Sequence, residues 1–222
     1  MTKYLIIGGG TTTARAVEGV REVDAGGSIA VVAAEPHLPY DRPPLSKGIL
    51  LGQDEPASAL PHDAAWYREQ HVELRLGDPV ASIDPDAHSA TLVSGEQLDW
   101  DRLLLATGSS VRRLDVPGAD LPGVFSLRTL DDSLALLERL KEGGRVAIVG
   151  AGWIGLEVAA AARSHGCSVV VVEPQALPLL GVMGERIGGW FADLHRSHGV
   201  DFRFGAGVAS IDGTKAATGL TL

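Results

Sequence analysis

Residues 4–35 read YLIIGGGTTTARAVEGVREVDAGGSIAVVAAE, and residues 145–173 read RVAIVGAGWIGLEVAAAARSHGCSVVVVE. The two runs share one pattern: an apolar strand, a glycine-rich turn, an alanine-rich helix, a glycine stop, a second apolar strand and a closing glutamate. Strands this uniformly apolar are buried on both faces, which happens in parallel sheets with helical crossovers. The repetition therefore constrains the chain to an α/β architecture of two Rossmann-like βαβ dinucleotide-binding domains, suited to two cofactors that exchange electrons.

The second run is the more complete. Gly150, Gly152 and Gly155 stand in full G-x-G-x-x-G register. The first permits the tight turn, the second lets backbone N–H groups approach a pyrophosphate, and the third lets helix and strand pack closely. The phosphates then meet the positive end of the helix dipole. Glu173 ends the following strand, where a carboxylate accepts both ribose hydroxyls and repels a 2′-phosphate, which points to NADH over NADPH. The competing reading is a βαβ unit whose glycines serve packing alone. In the first run Gly8 and Gly10 are in place, but Thr13 occupies the third glycine position. A β-branched residue there is expected to push helix from strand or force repacking. Thr11 or Thr12 is expected to compensate as an N-cap or phosphate donor. Glu35 keeps the ribose-acceptor position.

A chain of 222 residues has room for two small domains. Its net charge of −9 argues against nucleic acid as a partner, because phosphate contacts need clustered Lys and Arg. No apolar run approaches membrane-spanning length, and Met1-Thr2-Lys3 runs straight into a strand, so a cytoplasmic location is expected. The single cysteine, Cys167, excludes a redox-active pair within the chain. His195 and His198 lie three apart on an expected helix without a third ligand nearby, so no metal is expected.

Between the runs, residues 36–50 (PHLPYDRPPLSKGIL) form a proline-stiffened loop presenting Asp41, Arg42 and Lys47, with Ser46 placed to cap a short helix. A short helix (63–71), a third parallel strand (72–76) and an antiparallel meander (80–84, 89–92, 97–100) are expected next. Residues 102–109 (RLLLATGS) read as another buried strand, whose small end brings Thr107 and Gly108 close to a cofactor. Two prolines and two glycines in residues 116–123 suggest the domain boundary, giving domains 1–115 and 116–222. Helices at 128–140 and 184–198, a strand at 201–204 and hairpin arms at 208–211 and 219–222 complete the second, shorter domain, which is expected to be incomplete.

GGG near the N-terminus, PYDRPPLSK, LLLATGS, LRTLDDS and VGAGWIGLEVAA, in this order and spacing, resemble the FAD-dependent NADH:ferredoxin or rubredoxin reductases and the related apoptosis-inducing-factor proteins. The resemblance implies that Gly8, Gly10, Thr13 and Glu35 hold the ADP half of FAD. It places Arg42 and Lys47 at the flavin, Thr107, Gly108 and Arg128 against FAD, and Gly150, Gly152, Ile154, Gly155 and Glu173 on NADH. Lys47 and Glu157 would form the catalytic pair near the nicotinamide, and a ferredoxin- or rubredoxin-type carrier would take the electrons. Family members continue into a second FAD segment and an interface domain, so the resemblance covers roughly their N-terminal half. A truncated reductase is the first reading. An inactive NAD(H)-binding module, or half of a split reductase completed by a separate C-terminal chain, are the alternatives.

Overall fold

The computed structural model describes residues 3–222, and the chain divides into two compact units. The first joins Met1–Arg42 to Pro56–Ser110, and the second joins Pro43–Glu55 to Val111–Leu222. These units differ from the contiguous domains 1–115 and 116–222 in grouping the proline-stiffened residues 43–55 with the second.

In the first unit β1 (Lys3–Ile7), α1 (Thr11–Val23) and β2 (Ser28–Ala33) form the βαβ crossover. After α2 (Ala64–Glu69) comes β3 (Val72–Leu76), then a meander of β4 (Val80–Asp84), β5 (Ser89–Leu92) and β6 (Gln97–Asp99), and finally β7 (Arg102–Leu105). The parallel sheet runs β3-β2-β1-β7, with Ile7 level with Val32 on one side and Leu105 on the other. Strand residues alternate faces, so Leu5 and Ile7 pack with Ala90, Leu92 and Trp100 of the meander side. Ile6 packs on the opposite side with Val17, Ile29, Val31 and Tyr67. Both faces are covered, which is why β1 and β2 are apolar beyond their exposed first residues, Lys3 and Ser28.

Tyr67 is fully buried, and its hydroxyl has no hydrogen-bond partner among the described residues. Burial first, and the Glu18 carboxylate second, push its phenol up to about 12. A raised phenol pKa keeps the proton on the folded form while the unfolded chain ionises near 10, so this group costs stability as pH rises from about 10 to about 12. Tyr67→Phe is expected to leave the melting temperature unchanged or higher at neutral pH and to soften the alkaline loss. Thermal melts at pH 7 and 11 check both.

In the second unit a 3₁₀ turn (Pro43–Ser46) precedes α3 (Leu130–Lys141), β8 (Arg145–Val149), α4 (Trp153–Ser164), β9 (Ser168–Glu173), α5 (Leu180–Ser197) and β10 (Val200–Phe204). The parallel sheet runs β10-β9-β8, and β11 (Ser210–Gly213) and β12 (Ala217–Thr221) form an antiparallel hairpin. A capping box starts α3: Thr129 accepts the Asp132 N–H, and the Asp132 carboxylate accepts the Thr129 N–H. The core gathers Leu137 and Leu140 of α3, Leu156 and Ala159 of α4, and Val169 and Val171 of β9, with Leu50 from the proline-stiffened segment. That segment is also pinned by polar contacts. The Ser133 hydroxyl donates to the Leu45 carbonyl at 2.6 Å, and the His165 ring donates to the Leu50 carbonyl at 3.0 Å.

Several boundaries differ from the sequence expectation, two of them by four residues. The strand over 102–109 ends at Leu105, where small residues replace the apolar run. The last helix begins at Leu180 and breaks at Gly184, whose φ of 73° is a left-handed value suited to glycine.

Candidate cofactor-binding sites

Each unit carries one glycine-rich turn. In the first, the Gly8 N–H donates to the Val32 carbonyl at 2.8 Å. In the second, the Gly150 N–H donates to the Val172 carbonyl at the same 2.8 Å. Both glycines have positive φ, 150° and 100° respectively. The extended residue before each helix is also a glycine, Gly10 for α1 and Gly152 for α4, and neither helix start is capped by a side chain. Leaving the first-turn N–H groups open in this way creates an anion cradle.

The first unit holds a cavity of about 440 Å³ lined by Gly8, Gly9, Glu35, Arg42, Val80 and Thr107. Gly108, with φ of 70°, follows Thr107. Glu35 accepts the Tyr40 hydroxyl at 2.6 Å on one oxygen and the Arg42 guanidinium at 2.7 Å on the other. Arg42 also donates to the Tyr40 hydroxyl and lies over the Tyr40 ring, 4.5 Å from its centroid. A carboxylate offers about four lone-pair directions, so Glu35 keeps capacity for ribose hydroxyls.

Arg42, expected at the flavin, is ion-paired with Glu35 at 2.7 Å. Two expectations about this unit change. Thr11 does not cap α1, because its hydroxyl donates to Asp41 at 2.5 Å. Thr13 is fully buried, its N–H donating to the Gly10 carbonyl at 3.0 Å and its hydroxyl without a partner among the described residues. Its side chain is a packing element closed off from any ligand. Tyr40 was missed by sequence reasoning; its signal was its position inside PYDR, beside the Asp41 and Arg42 that the loop was expected to present.

In the second unit, a Cβ built on Gly155 would lie 2.1 Å from the Gly150 carbonyl oxygen, so only glycine fits this close helix–strand approach. At Gly150 and Gly152 the added atom would meet nothing within 4 Å. That open space fits the close approach of a pyrophosphate. Glu173 accepts the Ala151 N–H at 2.7 Å and the Gln175 N–H at 2.9 Å, which fixes its carboxylate beside the turn. Ile154 is exposed on the first turn of α4. Arg128 immediately precedes the α3 cap, its N–H donating to Asp132 at 2.9 Å.

One turn further along α4, Glu157 meets Lys47 at 2.9 Å. Its other oxygen accepts the Ser46 hydroxyl, so Ser46 serves this carboxylate instead of capping a helix. The pair is more than half exposed on the lysine side, so its energy is small and its effect is geometric: it holds an ammonium in one place. Glu157→Gln is expected to raise the rate of amine acetylation at Lys47 about two- to five-fold. Site-resolved mass spectrometry checks this, with Ser46→Ala giving a smaller rise.

No helix is long and apolar enough to cross a membrane among the described residues. Residues 2–222 match the family model described as pyridine nucleotide-disulphide oxidoreductase. Rhodocoxin reductase of Rhodococcus erythropolis is 38% identical over 218 residues, covering 98% of this chain and 51% of that protein. The ferredoxin–NAD(+) reductase component of the anthranilate 1,2-dioxygenase system of Burkholderia cepacia is 42% identical over 200 residues, covering 90% and 49%. Among solved structures, the ferredoxin reductase for the CYP199A2 system of Rhodopseudomonas palustris superposes with a TM-score of 0.94 at 37% identity, covering 99% of this chain and 55% of that one. The reductase–putidaredoxin covalent complex gives 0.93 at 30% identity, covering 99% of this chain and 54% of that one. The chain thus spans about half the length of the curated relatives it matches. With two glycine-rich cradles, each followed by a glutamate at or just past the end of the second strand, and a family model matched over residues 2–222, this chain belongs to the pyridine nucleotide-disulphide oxidoreductase family.

Proposed function

We propose that this chain is the FAD- and NADH-binding portion of a cytoplasmic reductase that delivers electrons to a ferredoxin- or rubredoxin-type protein. The observation that carries the reading is the pair of cradles of one geometry in one chain, together with the Lys47–Glu157 contact in the second unit. Gly8, Gly10, Glu35, Arg42, Thr107 and Gly108 hold the adenosine end of FAD, with Thr13 behind them as packing. Gly150, Gly152, Ile154, Gly155 and Glu173 hold the pyridine nucleotide, and Arg128 contributes to the flavin site. Lys47 provides a fixed cation and Glu157 positions it, the arrangement that stabilises developing negative charge. When bound, the two groups supply transfer of an electron pair from the nucleotide and its release as single electrons to the acceptor. Relatives whose names include a ferredoxin reductase component support the acceptor class.

Glu173 supports NADH as the preferred nucleotide: a carboxylate at the end of this strand accepts ribose hydroxyls and repels a 2′-phosphate, and here two backbone N–H groups hold it in place. NADH is expected to bind at least about tenfold tighter than NADPH, a gap of about 1.4 kcal/mol, and Glu173→Ala is expected to close it. Fluorescence titration with both nucleotides checks this; equal affinities in the unaltered chain would sink the preference.

The reading as a whole is tested by the visible spectrum of the chain with added FAD, followed by anaerobic NADH titration. Bound-flavin bands that bleach on NADH addition support it. A second reading, half of a split reductase, is favoured by β8, which among the described residues pairs with β9 alone whereas β1 pairs on both sides. Flavin binding that appears only with a complementary C-terminal chain selects that reading. NADH binding without flavin in either case leaves an NAD(H)-binding module.

A further inference from the structure

From Glu185 to Ser197, α5 is apolar on two opposite faces. Gly188 and Ala192 are buried within the unit. On the other side Ile187, Trp190 and Leu194, spaced i, i+3 and i+7, line up along the helix. They are 37%, 58% and 37% exposed. Phe191 extends this stripe sideways, meeting Trp190 edge-on at 5.1 Å and the half-exposed Trp153 at 5.8 Å. A contiguous exposed apolar face marks an interaction surface.

We propose that this face is the contact through which two copies of the chain pair, α5 against α5, antiparallel about a two-fold axis at Trp190. The argument is self-complementarity. A two-fold contact must set residue i against j and j against i. With the axis at Trp190, that side chain meets its own counterpart, Ile187 faces Leu194 of the second copy, and Arg186 faces Asp193 of the second copy. These pairs share one midpoint to within about half a residue, or about 1 Å of axial rise. Arg186 and Asp193 are seven residues apart and flank the same side of the stripe, and the two-fold keeps them on one side, giving two symmetric ion pairs. Arg186 makes no ion pair among the described residues, and Asp193 holds only a surface contact with Arg196 at 3.4 Å. Three side chains per copy fall short of the roughly 800 Å² per partner of a permanent complex, so the dimer is concentration-dependent. Neither cofactor enters this proposal, which stands or falls separately from the reductase reading.

Sedimentation velocity of the chain from micromolar to millimolar concentration tests it. The expected result is a rising dimer fraction that Trp190→Glu abolishes. Arg186→Glu and Asp193→Arg each weaken it, and the double charge swap restores it. Because these side chains are exposed, each variant should keep the parent melting curve, which circular dichroism verifies. A monomer at every concentration overturns the proposal, as does a dimer indifferent to Trp190→Glu or a charge swap without restoration. Binding of a complementary C-terminal chain that Trp190→Glu blocks would overturn it in favour of that occupant.

Discussion

Gly155→Val lowers the melting temperature by roughly 6–12 °C and weakens NADH binding more than about tenfold, whereas Gly152→Ala weakens binding without lowering the melting temperature. Both residues belong to one motif, but the structure assigns them different work. The Gly155 α-carbon faces the Gly150 carbonyl, where even a single added carbon would sit at 2.1 Å from a backbone oxygen. Such an oxygen cannot rotate away, so α4 must shift from β8, at a cost of about 3 kcal/mol for overpacking of this kind. Gly152 has extended φ and ψ of −78° and −175°, which any residue adopts, and open space around its α-carbon. A methyl group there leaves the fold alone and fills the approach to the phosphates. Calorimetry and nucleotide titration on the two variants read the two effects separately. If both variants melted alike, the division of labour would be wrong.

Gly8→Ala is expected to destabilise the first unit by about 3 kcal/mol or more and to remove its capacity for flavin. Gly8 sits at φ of 150°, and an added Cβ would lie 2.1 Å from the Ala106 carbonyl oxygen. That oxygen belongs to the residue that extends β7, whose N–H donates to the Ile7 carbonyl at 2.7 Å. The substitution therefore forces β1 and β7 apart just where the cavity opens beside Thr107. Hydrogen exchange should show lost protection along residues 102–106, and FAD retention should fall in parallel. Normal protection with normal flavin binding would falsify this account of the turn.

The fate of the third glycine position shows where local reasoning stops. Reading Thr13 from sequence gives a β-branched residue in a place meant for glycine, with neighbouring threonines offered as compensation. In the structure α1 accepts Thr13 without exposing it, and the unpaired hydroxyl is what this arrangement costs. Thr11 is drawn away to Asp41, thirty positions along the chain. Ser46 had every local qualification for a helix cap, yet its hydroxyl serves Glu157, 111 positions away. A short polar side chain takes whichever acceptor lies nearest, and for both residues that acceptor comes from another part of the fold.

The two βαβ units, their glycine-rich turns and the glutamates that close them were determined by the sequence itself. Their signals are local: apolar runs set strands, alanine-rich periodicity sets helices, and glycine alone tolerates the turn conformations. The resemblance carried by PYDRPPLSK and VGAGWIGLEVAA implies a Lys47–Glu157 pair, and the two side chains meet at 2.9 Å. Only tertiary structure decided that residues 43–55 pack with the second unit, that Arg42 turns to Glu35, and that α5 leaves a second apolar face open. Each of those outcomes depends on contacts between elements, which spacing along a chain does not encode.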